Sequence, residues 1–213
     1  MAWAIDPVHS QAMFAVKHMM VSTVKGSFDI ISGTLNIDDQ NPDQSWIEAQ
    51  ANAVSINTRD QGRDGHLKSA DFFDVANYPL ITFKSTKVVP AGGNMYNVTG
   101  DMTIRGVTKP VTLKVEYGGQ NKNLYGQMIA GVNARGTINR KDFGLNWNKA
   151  LEAGGWLVGD EIKLEIELEA ILQESDAKKV VQKAEADALR VAQDVKLGVS
   201  KAEQNLKSAV SKK

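Results

Sequence analysis

Ile162-Lys163-Leu164-Glu165-Ile166-Glu167-Leu168-Glu169-Ala170 alternates apolar and charged residues without a break. Successive side chains of a β-strand point to opposite faces, so this pattern describes a strand with one buried face and one face in water. The same period recurs upstream. Val111, Leu113, Val115 and Tyr117 share one face, as do Tyr96, Val98, Gly100, Met102 and Ile104. Ile81, Phe83 and Ser85 form another, and Phe14, Val16 and His18 a fourth. Turn signals separate these runs at Asp38-Asp39-Gln40-Asn41-Pro42, Pro90-Ala91-Gly92-Gly93-Asn94, Arg105-Gly106-Val107 and Gly118-Gly119-Gln120-Asn121. Short strands at such spacing predict an all-β sandwich or barrel. Between Asn57 and Asn77 the alternation stops, and Leu67, Ala70 and Phe73 are spaced for one or two helical turns.

The period changes after Gln173. Ala177, Val181, Ala184, Ala188, Val191, Val195, Val199, Ala202, Leu206 and Ala209 form one helical stripe with a stutter at Val195–Val199. The chain therefore divides into residues 1–173, a β domain, and residues 174–213, a long C-terminal amphipathic α-helix. The stripe is rich in Ala and poor in Leu, so an isolated helix would be marginal in water. It predicts a partner, either the β domain or a second copy of the helix in a homo-oligomer. The tail's lysines are interspersed with acids, and it carries few bulky apolar residues, which ranks membrane binding below helix pairing.

Charge and composition exclude several classes. The 213 residues carry 25 basic and 25 acidic side chains, a formal net charge of +0, which gives no reason to expect a nucleic-acid partner. Nine basic and six acidic residues lie in 174–213, so the tail is +3 and the rest −3. The absence of cysteine excludes disulfides, thiolate catalysis and Cys-based metal sites. No run approaches the about 18 apolar residues of a membrane span. Met1-Ala2-Trp3-Ala4-Ile5-Asp6 has neither a basic n-region nor an apolar h-region, which predicts a cytoplasmic protein, or a periplasmic one if a signal was trimmed.

Reactive constellations are weak. His9, His18 and His66 invite a zinc reading, but they show no i,i+4 spacing and no clustering, so structural histidines are the better account and no metal is expected. Asp6, His9 and Ser10 supply the residue types of a hydrolytic triad, yet neighbours on a strand point to opposite faces. No catalytic residue is assigned. Asp101 and Arg105 read as an outward surface pair. Arg59, Arg63 and Lys68 flank the helical segment, either as solvated charge or as partners for an anionic head group. Trp147 and Trp156 read as a barrel rim or as ordinary core. A small barrel can be filled by side chains or left open for one ligand, and alternation does not distinguish the two.

Several ordered segments add a resemblance. They are Asp6-Pro7-Val8-His9-Ser10 running on to Phe14-Ala15-Val16-Lys17-His18, then Tyr78-Pro79-Leu80-Ile81-Thr82-Phe83-Lys84-Ser85-Thr86, then Thr99 to Leu113. Asp64, His66, Leu67, Ser69 and Asp71-Phe72-Phe73-Asp74 follow the same pattern, as do Arg140, Asp142-Phe143-Gly144-Leu145 and Val158-Gly159-Asp160. Over roughly residues 3 to 173 the chain resembles the YceI-like family, antiparallel lipocalin-like barrels that hold polyisoprenoid lipids. The resemblance implies a barrel of about eight strands with a short helical segment. It also implies a non-catalytic carrier of an isoprenoid lipid, a polyprenyl chain or a quinone, with no other cofactor. The cavity wall it implies is Phe14, Val16, Phe28, Phe72, Phe73, Ile81, Phe83, Met102, Ile104, Val132 and Phe143, each of which is individually also an ordinary core residue. Head-group candidates are His9, Ser10, Arg59, Arg63 and His66. Some relatives are linked to stress responses. The rival readings are an enzyme acting on a small amphiphile through His9, Ser10 or His66, and an interaction module working through its C-terminal helix.

Overall fold

The computed structural model describes residues 2–152 and 154–173. The helix expected over 174–213 lies outside the described residues. Among them, nine antiparallel strands and one α-helix follow in order: β1 (Ala2–Ile5), β2 (Gln11–His18), β3 (Ser22–Asn36), β4 (Trp46–Asn52), α1 (Gln61–Lys68), β5 (Leu80–Pro90), β6 (Met95–Ile104), β7 (Val107–Lys122), β8 (Met128–Asn139) and β9 (Val158–Leu172).

The sheet closes on itself. Neighbours run β3-β2-β9-β8-β7-β6-β5-β4, and β4 returns to β3. This ring has eight positions, as expected, and the ninth strand does not widen it. β1 also pairs with both β3 and β9, so β1 and β2 are two pieces of one interrupted barrel strand. The interruption spans Asp6 to Ser10. The Asp6 amide donates to the Glu169 carbonyl at 2.8 Å, and the Glu169 amide donates to Ser10 Oγ at 3.0 Å. The Ser10 hydroxyl thus takes a backbone partner that the ladder would otherwise supply, while Val8 bulges out to 84% exposure.

One predicted turn is corrected. Gly118-Gly119-Gln120-Asn121 does not reverse the chain: β7 runs through it to Lys122. The register against β8 shifts between Tyr117 and Gly119, and Gly119 sits at φ 87°. The glycines serve a bulge, which needs left-handed backbone as a turn does. The reversal comes later, where Asn123 Oδ1 accepts from the amides of Tyr125 and Gln127, both at 3.0 Å.

Two buried clusters divide the interior. Trp3, Ile5, Phe28, Ile30, Leu35 and Leu168 belong to the one nearer β1. Phe72, Met102, Ile104, Leu113, Phe143 and Leu145 belong to the other. Helix α1 lies in the connection between β4 and β5, at the barrel end where β2 reaches His18. Asp60 caps it by accepting from the Arg63 amide at 2.8 Å. Its Leu67 packs against both clusters.

Candidate functional site: an apolar tunnel along the barrel

Inward-facing side chains do not fill the barrel. Three adjoining cavities run through it. The first, about 370 Å³, lies beside α1 and is lined by His18, Val24, Arg63, His66, Leu67, Trp147 and Leu157, among others. It shares Phe14, Val16, Leu67, Phe72 and Val158 with a middle cavity of about 140 Å³. The middle cavity adds Phe28, Phe73, Ile104, Ile162 and Leu164. Through Ala12, Ala51, Ile81, Met102 and Ile166 it adjoins a third, about 180 Å³, at the opposite barrel end. Trp46, Phe83, Tyr96, Tyr117 and Val132 line that one, and among the described residues its charged lining is Asp38 and Asp39. Together the three fall within the roughly 300–1,000 Å³ of small-molecule sites.

The space exists because small residues occupy inward positions. Ala12, Ala49, Ala51 and Ala134 all line cavity wall. Gly26 faces Phe14 across the β2–β3 pair, and a Cβ there would stand 2.5 Å from Phe14 Cζ. The aromatic rings lean over these gaps: Phe14 and Phe28 lie 5.4 Å apart, and Phe28 meets Phe73 edge-on at 5.3 Å. Sequence alternation shows which residues face inward. The run of inward Ala and Gly was the available signal that they would not fill the space.

Ten of the eleven residues expected in the wall line at least one of the three cavities: Phe14, Val16, Phe28, Phe72, Phe73, Ile81, Phe83, Met102, Ile104 and Val132. Phe143 does not. It is 1% exposed and sealed in the second cluster. Ala12 and Trp46 are wall residues that the sequence did not single out, and Leu67, singled out for its helical spacing, is a third.

The head-group candidates separate. Arg63 and His66 project from α1 onto the cavity beside it. Arg63 Nε donates to Thr58 Oγ1 at 2.7 Å and its Nη2 to the Thr58 carbonyl at 2.8 Å, while Asp64 Oδ1 accepts from the Thr58 amide at 2.9 Å. This network fixes the guanidinium at the mouth. His66 Nε2 lies 2.8 Å from Asp71 Oδ2, and its ring stands edge-on to Phe72 at 5.1 Å and to Trp147 at 4.7 Å. Arg59 is exposed on an adjoining outer groove.

His9 and Ser10 are elsewhere, at the break between β1 and β2, and line none of the three cavities. Ser10 engages the Glu169 backbone rather than His9, so the triad geometry is not formed. His9 Nδ1 lies 2.8 Å from Asp6 Oδ2 and 3.7 Å from Glu169 Oε1. The hydrogen bond to His9 holds the Asp6 carboxyl below its usual range, and Asp6 and then Glu169 raise the His9 imidazole. Among the described residues this surface trio is the one cluster of three or more His and carboxylate groups whose ligand atoms converge. His18 and His66 share the mouth cavity far from it.

Two arginines serve the frame. Arg105 does not pair with Asp101 as expected. It donates to the carbonyls of Ala70 and Gly144 at 2.8 and 3.0 Å, tying loops together at the α1 end. Arg140 is buried and donates to the carbonyls of Gly159, Leu145 and Trp147 and to Asp160 Oδ1. It thereby holds Trp147 at the tunnel mouth. Burial lowers its pKa, opposed by Asp160. At the other end burial pushes the Tyr117 phenol up, as an apolar cavity should.

Among the described residues no helix is long and apolar enough to cross a membrane. Comparison with known proteins places this architecture. A UPF0312 protein from Staphylococcus aureus (strain N315) is 40% identical over 179 residues, covering 81% of this chain and 98% of its own. The crystal structure of BcnA from Burkholderia cenocepacia superposes with a TM-score of 0.68 at 25% identity, over 78% of this chain and 98% of that one. A polyisoprenoid-binding domain from Saccharophagus degradans shares the fold at 16% identity and a TM-score of 0.58, over 80% and 98%. Residues 3–170 match the YceI-like domain, and with that match the chain belongs to the YceI-like family.

Proposed function

We propose that this protein binds one isoprenoid-type lipid, a polyprenyl chain or a quinone, in the barrel tunnel and carries or sequesters it without chemical change. The observation that carries this reading is the string of three cavities lined by aliphatic and aromatic side chains from one barrel end to the other. A long, thin, apolar chain fits that shape, and its burial is driven by area at about 25 cal/mol per Å². Arg63 and His66 suit the mouth beside α1 to a polar or anionic head group, which leaves the middle and far cavities for the tail. The S. degradans domain, described as polyisoprenoid-binding, has the same fold, which supports the ligand class.

Native mass spectrometry of protein purified without detergent tests the reading. The expected result is an adduct whose organic extract contains a prenyl lipid. Added quinone at a hundredfold excess over its dissociation constant should stabilise the fold by about 2.7 kcal/mol. An apo mass together with an unmoved melting temperature would overturn it.

A further inference from the structure

The hairpin joining β2 to β3 ends in Met19-Met20-Val21, beside the tunnel mouth that α1 borders. These residues are 46%, 65% and 83% exposed. Met19 and Met20 both take left-handed backbone, φ 51° and 63°, which unbranched apolar residues adopt rarely and which Asn or Gly would adopt more easily. Neither burial nor turn preference accounts for methionine here. Strained apolar residues held in solvent are better explained by function than by folding. The tip is not loose: the Met19 amide donates to the Leu157 carbonyl at 2.8 Å, and a Cβ on Gly155 would lie 3.3 Å from Met20 Cγ. Trp156, 55% exposed, follows Gly155 in the same packed turn. Three exposed apolar side chains thus form a ridge at the tip, and a fourth, Trp156, is exposed next to the glycine that meets Met20.

Charge indicates the partner. The mouth adjoins an outer groove through Phe14, Val24, Thr58 and Arg63. Among the described residues that groove is lined by Lys25, Arg59, Arg63, Lys114, Arg135 and Lys163, against one acid, Glu165, which is paired with Arg135 at 2.8 Å. The opposite barrel end also has an exposed apolar tip, Leu124 and Tyr125, but the cavity there is lined by Asp38 and Asp39. We propose that the Met19-Met20-Val21 tip and Trp156 insert into the surface of an anionic phospholipid bilayer, with the basic groove against its head groups, so that the α1-side mouth opens onto the membrane. Apolar residues anchored in the interface beside cations on anionic lipid are the general chemistry of peripheral binding. The purpose of the docking rests on the lipid-carrier reading; the docking itself is measured separately.

Vesicle flotation of the full-length protein tests it. Vesicles of phosphatidylcholine with phosphatidylglycerol should carry the protein up, pure phosphatidylcholine much less, and added salt should weaken the binding. The double variant Met19→Asn, Met20→Gly eases the backbone, so it should fold at least as well, yet lose about tenfold or more of its partition. Leu124→Ser with Tyr125→Ser, at the far end, should leave partition unchanged. Equal flotation of wild type and the Met19/Met20 variant overturns the proposal, as does failure of the wild type to bind. A wild-type dimer by light scattering that the Met19/Met20 variant dissociates also overturns it, and assigns the ridge to a second copy of the chain. Flotation as expected with an empty tunnel by native mass spectrometry sinks the carrier reading alone. A filled tunnel without flotation sinks the docking alone.

Discussion

The ring of Phe83 on β5 leans diagonally over Gly100 on β6, whose ladder partner is Ser85: a Cβ at Gly100 would stand 2.5 Å from Phe83 Cζ and 2.6 Å from the Lys84 carbonyl oxygen. The ring occupies the place of the missing side chain and lines the far cavity at the same time. Gly100→Ala should therefore destabilise the fold by about 1–3 kcal/mol, the usual cost of overpacking. Combining it with Phe83→Ala should cost less than the two single losses added, since one of the two clashes disappears. Urea unfolding of the four proteins measures that difference. Strict additivity would show that ring and glycine are not coupled.

Two phenylalanines separate tunnel from core. Phe143 is sealed, and its truncation to Ala should cost about 3–5 kcal/mol. Phe83→Ala removes a ring that already borders empty volume, so the loss should be smaller and lipid uptake should change. Denaturant midpoints and native mass spectra of both variants provide the comparison. Equal penalties with unaltered lipid content would mean that Phe83 is packed like Phe143.

Arg140 donates to three backbone carbonyls and one carboxylate from a buried position. Arg140→Met leaves those carbonyls without their donor, and a loss of about 3–5 kcal/mol is expected. Asp160 would keep its contact with Lys141 at 2.8 Å, so the damage should concentrate in the carbonyls of Gly159, Leu145 and Trp147. Hydrogen exchange should accelerate first around residues 145–149. Near-wild-type stability would place the weight of this corner elsewhere.

The Asp6–His9 pair predicts opposite titrations. His9 is raised above 6.5, so its part of the pairing is present below the unfolded value and fades as pH rises through the folded one. Asp6 is lowered below 3.8, so its part is present above the unfolded value and is lost as pH falls through the folded one. The pair is therefore complete in mildly acidic solution. An NMR titration should find the His9 midpoint above 6.5, and Asp6→Asn should move it down, with Glu169 retaining part of the effect. A midpoint unmoved by Asp6→Asn would assign the shift to Glu169.

The legible part of the fold was local. Alternation in β9 named the inward set Ile162, Leu164 and Ile166, and all three line cavity wall. The break at Asn57–Asn77 contains α1. The Gly118–Asn121 turn failed because left-handed glycine serves bulge and reversal alike, and only the β8 register distinguishes them. Arg105 failed for a related reason: a charge next to a turn can reach backbone carbonyls whose positions depend on distant loops.

The sequence by itself determined that the chain is all-β up to Gln173, which side chains face inward, and that no cysteine chemistry occurs, because strand period and composition are properties of neighbouring residues. Tertiary structure alone decided that β1 and β2 share one barrel position, that Ser10 serves the Glu169 backbone, and that Phe143 is core while Phe83 is wall. Those outcomes depend on what stands across the barrel. Whether an inward ring meets an alanine, a glycine or another ring is fixed by the register of strands far apart in sequence, and the empty volume of the tunnel is the sum of those meetings.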